Sequence, residues 1–285
     1  MKLSVVLATF NEESNIGDCL SSVKDIADEI IIVDGSSTDK TVEIAKSFGA
    51  RVVVTENHPI FHINKQKALD LAKNIWVLQL DADERVTKKL SEEILKVVNM
   101  ADEEIDKYQN TIKKRKLFIK HQKLLENRDG KIGEDTNEYC AFFIPRLNFF
   151  LGRYLRYGGV YPDGVIRLVK KNKAFFPCKS VHEQIVVKGK VGWLQNDLLH
   201  LDSPTFKRYL EKNSRYINLI VDEFRRDNVS KDIVQAFKFI VYKPIEWFLV
   251  TQIRHKGILD GFQGIVFSFF SALRFPRAFM RYLKS

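Results

Sequence analysis

Along the first ninety positions, apolar residues come in short unbroken runs separated by polar stretches with helical spacing. Leu3-Ser-Val-Val-Leu-Ala8, Glu29-Ile-Ile-Ile-Val33, Arg51-Val-Val-Val54 and Ile75-Trp-Val-Leu-Gln-Leu80 read as strands. They are too apolar to alternate, as expected of parallel strands covered on both faces. Between them, Asn11 to Val23 sets Ile16, Cys19, Leu20 and Val23 on one helical face. Ser36 to Phe48 reads as a second helix, with Ser37 or Thr38 as N-cap and Gly49 as its stop, and Asn64 to Lys73 as a third. Strand and helix in alternation predict a doubly wound α/β sheet with ligands at the carboxyl ends of its strands.

The pattern changes at residues 101–138, where an acidic run, Asp102 to Asp106, is followed by the basic Lys113-Lys-Arg-Lys116 and a turn at Arg128-Asp-Gly-Lys131. This stretch reads as a helical insertion or flap, its basic run a solvated helix face. Strand character returns at Cys140-Ala-Phe-Phe-Ile144, Val165-Ile-Arg-Leu-Val169 and Val191-Gly-Trp-Leu194, which makes the sheet mixed. A Gly/Tyr-rich loop at residues 152–161 lies between the first two. From Thr205 onward the chain reads as helical, giving a division into 1–204 (halves 1–100 and 139–204 about the insertion) and 205–285.

Composition adds one point and charge another. The 45% hydrophobic and 29% charged residues are those of a globular protein, and the three cysteines, at no metal-like spacing, suit a reducing compartment. Met1 to Leu7 runs straight into a strand, so a cytoplasmic location is expected. The net charge of +10 is uneven: residues 1–90 carry 11 Lys/Arg against 14 Asp/Glu, and residues 205–285 carry 15 against 7, with 16 of the 33 aromatics. A basic, aromatic end on an acidic head points to an anionic partner, membrane or nucleic acid. Ile258 to Leu273 is apolar but interrupted by Asp260, Gln263 and glycines, and it falls short of the roughly 20 residues that span a bilayer. Helices lying in the interface of an anionic membrane fit better. No nucleic-acid signature accompanies the charge.

Acidic features fall at three predicted strand ends: Asn11-Glu12, Asp34 and Asp81-Ala-Asp83. Carboxylates converging on one crevice repel unless a cation joins them, and Mg²⁺ or Mn²⁺ bridging a diphosphate supplies it. In extended backbone, Asp81 and Asp83 would point to the same side.

The segments Ser4 to Glu13, Ile32 to Asp39 and Leu78 to Glu84 resemble the three signature segments of family 2 glycosyltransferases of GT-A fold, and within that family the lipopolysaccharide-core type. Further matches are Ile144-Pro-Arg-Leu-Asn148, Gly158 to Asp163, Arg167-Leu168, Val181-His-Glu183 and Gly257 to Gly261. The resemblance thus covers nearly the whole chain outside residues 101–138. It implies an inverting, metal-dependent transferase that moves a sugar from a nucleotide-diphospho-sugar, UDP-linked by preference, to a glycan or glycolipid acceptor. Residues 1–204 would then be the catalytic domain, with 205–285 holding it at the inner face of the cytoplasmic membrane. Thr9, Asn11 and Glu12 would border the nucleotide, Asp34 would meet its base, and Lys65 would neutralise phosphate. Asp81 would contact ribose or metal, and Asp83 the metal, with a late histidine, His182 or else His200, as a further ligand. Asp163 is the first choice for the base that takes the acceptor proton, and Glu183 the second. Arg167 could pair with diphosphate or with Asp163. Two other readings compete. A nucleotidyltransferase usually has a Gly-rich loop where this chain has Thr9-Phe-Asn-Glu-Glu13, and a non-catalytic membrane- or nucleic-acid-binding protein would leave the acidic motifs idle.

Overall fold

The computed structural model describes residues 2–179 and 184–285. From the amino terminus, β1 (Leu3–Thr9), α1 (Ile16–Ser21), β2 (Glu29–Asp34), α2 (Thr41–Ser47), β3 (Arg51–Val54), α3 (His62–Leu71) and β4 (Trp76–Leu80) alternate as the apolar runs predict. Then come β5 (Glu84–Val86), α4 (Lys88–Val97), α5 (Asp102–Thr111), α6 (Arg115–Asp129), β6 (Tyr139–Phe150), β7 (Arg153–Leu155) and β8 (Asp163–Lys170). A two-residue pair, β9 (Ala174–Phe175) and β10 (Val186–Val187), precedes β11 (Lys190–Trp193) and β12 (Leu198–Ser203). The rest is helical: α7 (Phe206–Arg226), α8 (Ile233–Phe237), α9 (Lys243–Leu249), α10 (Gly261–Ala272) and α11 (Arg274–Leu283).

The main sheet runs β3-β2-β1-β4-β8-β6-β12-β5, with β7 and β11 also paired to β6. β1 to β4 are mutually parallel, whereas β8 joins β4 and β6 antiparallel. The fold is therefore the expected mixed α/β sheet of GT-A type with a helical carboxyl-terminal region. β1 and β4 are apolar because they are central, and their side chains are almost all buried.

One local expectation changes, and two features join it that the sequence did not announce. Ser37 and Thr38 do not cap α2, which starts at Thr41. The Ser37 hydroxyl and amide instead bond Asp34, at 2.7 Å each, and the Thr38 amide bonds Asn11 Oδ1 at 2.8 Å. β5 precedes Thr87, which caps α4 by accepting the Leu90 amide. The insertion is helical, as α5 and α6, and it is anchored on Trp193: this indole stacks on Phe118 and Phe143, and Gln109 and Gln122 bond its backbone and ring nitrogen.

The chain forms two compact units, Met1–Arg146 with Pro162–His200, and Leu147–Tyr161 with Leu201–Ser285. Residues 147–161, grouped by sequence with the amino-terminal part, fall in the second unit. There Phe150 and Leu155 close a small core with Tyr209 of α7. A second core in that unit joins Ile217, Val221 and Phe224 of α7 to Phe239 and Phe279.

Candidate active site

β1 and β4 pair in parallel from Leu3↔Trp76 to Leu7↔Leu80, so their carboxyl ends open side by side. The chain leaves β1 for β2 on one side and β4 for β5 on the other, and such a switch of direction leaves a crevice. A cavity of about 300 Å³ lies here, walled by Thr9, Glu12, Lys65, Asp81, Asp83 and His200. Phe10 and Phe61 add partly exposed aromatic rings to its wall.

Residues 81–83 form a turn and not extended backbone. The Asp81 amide donates to the Glu84 carboxylate at 3.0 Å, and the Glu84 amide donates to the Asp81 carbonyl at 3.0 Å. The two aspartates therefore meet different partners instead of sharing one side. Asp81 Oδ1 is 2.6 Å from Lys65 Nζ, and Arg167 bonds its other oxygen. Asp83 Oδ2 stands 3.5 Å from His200 Nε2. His200 arrives on β12, whose antiparallel pairing with β5 sets it opposite Glu84.

From Asp81 an ion chain leads into the protein. Arg167 bonds Glu84 at 2.8 Å, Glu84 meets Arg146 at 3.3 Å, and Arg146 bonds Asp163 at 2.7 Å. Arg167 also donates to Gln79 of β4. Burial alone would push the Asp81 carboxyl up, but Arg167 and Lys65 outweigh it and hold that carboxyl well below the usual carboxylate range. Burial pulls the Lys65 ammonium down, with Asp81 opposing. Burial likewise works against the charges of Arg146 and Arg167, yet their carboxylate partners prevail and raise both.

Not every expected residue joins the cavity. Thr9, Glu12, Lys65, Asp81 and Asp83 do. Asn11 adopts a left-handed backbone (φ 53°) and ties the end of β1 to the loop after β2. Asp34 has no exposed surface, and its carboxylate accepts from Thr9 and Ser37, so it is not in the wall. Asp163 opens β8 opposite Arg146, outside the cavity wall, and is linked to it through the ion chain. His182 and Glu183 lie outside the described residues. Glu84, Arg146 and His121 were not singled out from sequence. His121 comes from the insertion: its Nε2 accepts the Gly164 amide at 3.1 Å, and burial pushes its pKa down while Asp163 opposes. The Leu80-to-Glu84 segment pointed at Glu84 by adjacency alone.

Comparison with known proteins gives this geometry a context. Residues 4–160 match the family described as glycosyl transferase family 2. The chain belongs to that family. Its members are enzymes, and this chain is a glycosyltransferase. An uncharacterized glycosyltransferase of Rickettsia typhi is 28% identical over the whole chain and 89% of its own length. The lipopolysaccharide core biosynthesis glycosyltransferase LpsC of Rhizobium meliloti is 25% identical over 96% of the chain and 92% of its own. Among solved structures, glucosyl-3-phosphoglycerate synthase of Mycobacterium tuberculosis, in complex with Mn²⁺, UDP and glucosyl-3-phosphoglycerate, is 30% identical over 29% of this chain and 34% of the synthase, with a TM-score of 0.27.

The donor set can be tested against the divalent cation that family 2 implies. Two ligands about 2.1 Å from one ion at a right angle are about 3 Å apart. The 3.5 Å between Asp83 and His200 needs only a small closing movement to meet this. Asp81 fits less well, because Lys65 and Arg167 already occupy both of its oxygens. Among the described residues, no group of three or more His, Cys, Asp or Glu could hold the ion alone. The remaining positions would fall to phosphate oxygens and water, a usual arrangement for Mg²⁺.

Proposed function

We propose that the chain transfers a sugar, with inversion, from a nucleotide-diphospho-sugar to a hydroxyl of a lipid-linked or lipopolysaccharide-core glycan, at the inner face of the cytoplasmic membrane. The observation that carries this reading is the cavity at the ends of β1 and β4, where Asp83 and His200 face each other beside the Lys65–Asp81 pair. The name of the LpsC relative supports the acceptor class.

In this reading Asp83 and His200 hold a Mg²⁺ or Mn²⁺ ion, which would offset charge on the departing diphosphate. Thr9 and Glu12 border the nucleotide, and Lys65 offers its ammonium to phosphate. Asp34 braces that wall through Thr9; to reach a base it would have to give up a hydrogen bond. Asp81 keeps Lys65 and Arg167 in place and is a ligand only if one of them lets go. As the acceptor oxygen bonds the anomeric carbon, the bond to the diphosphate breaks and its electron pair leaves with the nucleotide. The acceptor proton passes to a carboxylate, for which Asp163, one-third exposed and held at one oxygen by Arg146, is the first choice and Glu183 the second.

A thermal-shift screen of UDP-, GDP- and dTDP-sugars with and without Mn²⁺ tests the donor and cation together. One nucleotide, expected to be UDP, should stabilise the protein when Mn²⁺ is present, by about 2.7 kcal/mol at a hundredfold excess over its Kd. Asp83→Ala and His200→Ala should each abolish the Mn²⁺-dependent part. Stabilisation that survives in both variants would remove this cation site, and none by any nucleotide would remove the donor assignment.

A further inference from the structure

Part of the second unit is packed inside out. α8 and α9, joined and followed by π-helical turns at Lys238–Tyr242 and Val250–Arg254, make one continuous helix that turns back through Gly257–Asp260 into α10. The facing sides of this hairpin are small or polar. Gln252 donates to the Gly264 carbonyl at 2.9 Å and to Ser268 Oγ at 2.6 Å, and the Trp247 indole donates to Ser271 Oγ at 3.1 Å. Thr251, Gln252, Ser268 and Ser271 are all buried. The turn packs so closely on α10 that a Cβ at Gly264 would overlap the Gly257 carbonyl.

Many of the large apolar side chains point the other way, while Phe239, Phe267 and Phe270 pack on the cores beside α7. Ile233 is 85% exposed, Phe262 73% and Ile253 72%, and Phe237, Ile245 and Phe269 are at least half exposed. A helix pair made for water does the reverse, burying its apolar stripe. Small residues between helices, polar side chains bonded across the seam and an apolar exterior are how helices pack in lipid, although Gln252 Oε1 here has no partner among the described residues. Charge narrows the partner further. The hairpin's two acids are spoken for: Glu246 is 2.6 Å from Lys243, and Asp260 accepts the backbone amides of Arg156 and Tyr157. Lys238, Arg254 and Lys256 are exposed, so the surface presents cations beside its apolar residues. Gly257–Leu283 is long and apolar enough to cross a membrane by composition. Arg274, Arg277 and Arg281 along its last ten residues argue instead for a shallow seat, with cations at headgroup level.

We propose that residues 233–272 form an inside-out helical hairpin whose outer face inserts into the acyl region of an anionic phospholipid bilayer. The sugar-transfer reading places the enzyme at a membrane; this proposal names the element that enters it, and it stands or falls independently of the donor chemistry. Trp247 provides the probe, because it is 42% exposed while Trp76 and Trp193 are buried. The full chain is mixed with phosphatidylcholine–phosphatidylglycerol vesicles whose acyl chains carry bromine. The vesicles should quench tryptophan emission, and the Trp247→Phe protein should lose that quenching while still floating with them. Ile253→Asp combined with Phe262→Asp should weaken vesicle binding at least about tenfold, with helix content and Tm held. Binding without quenching would mean adhesion at the headgroups only and would overturn insertion. Absence of binding, together with concentration-dependent association in light scattering, would assign the face to a second copy of the chain and equally overturn it.

Discussion

Glu84 has no exposed surface, and its carboxylate touches both Arg146 and Arg167. Removing one partner from a buried ion cluster leaves the others uncompensated, at a cost of about 3–5 kcal/mol. Glu84→Gln should therefore lower the unfolding free energy measured by urea melts by an amount in that range. A loss under about 1 kcal/mol would mean that Asp81 and Asp163 neutralise both arginines without it. Asp81 makes a separate prediction, in pH. Its folded pKa is depressed, so its contribution to stability is present above the unfolded carboxylate value of about 3.9 and is lost as pH falls through the lower folded value. Asp81→Asn should flatten the acid side of the stability curve below about pH 4, measured by urea melts across pH. An unchanged slope would remove Asp81 as the source. From sequence, Asp83 was legible as a candidate because a carboxylate pair follows an apolar strand. Lys65, Asp81, Asp163 and Arg167 were also named, but Arg167 was expected to meet diphosphate or Asp163 and instead pairs with Asp81 and Glu84; Arg146 was missed because only antiparallel pairing of β6 and β8 brings it in.

At the scale of elements, the parallel strands could be read because each is a continuous apolar run, and a central strand needs no other signal. β5 could not, because its three residues, Glu-Arg-Val, are too few to show a period. That omission hid the partner of Asp83. His182 was preferred to His200, yet it is the β5–β12 pairing that delivers His200 to the cavity. β12 also left no period, since Leu198-Leu-His-Leu-Asp-Ser203 does not alternate in sequence. The insertion was legible as helical but its attachment was not, since a Trp stacked between two Phe rings leaves no local trace. Trp193→Ala should cost about 3–5 kcal/mol and raise deuterium uptake across α5 and α6, with β1 to β4 still protected. Uniform loss of protection would show that the stack supports the whole unit and not these helices alone.

At the scale of the whole molecule, positive charge collects in residues 205–285 while residues 1–90 are net acidic. If the basic end meets anionic lipid, vesicle binding must weaken with salt, because the Debye length shrinks from about 10 Å at 0.1 M to about 3 Å at 1 M. The apolar face predicts a residue of binding that salt does not remove. Flotation across that range should show a fall to a plateau; a fall to zero would leave electrostatics as the whole attraction. Composition alone revealed the charge asymmetry but not the inverted packing, since the same apolar residues would give the same average whether they faced inward or outward.

The ion chain from Lys65 to Asp163 contains three cations and three carboxylates, so it closes on zero. Beyond it, Glu12 and Asp83 add only negative charge to the cavity wall. Such a wall is no magnet for phosphate. Naked nucleotide should be a poor inhibitor, since the Lys65 ammonium that faces it is already balanced by Asp81, and it should enter as a salt with its own counter-ion. Release then follows the same rule in reverse: a chelator should empty the site as effectively as dilution, and the identity of the cation should set how long the spent nucleotide lingers.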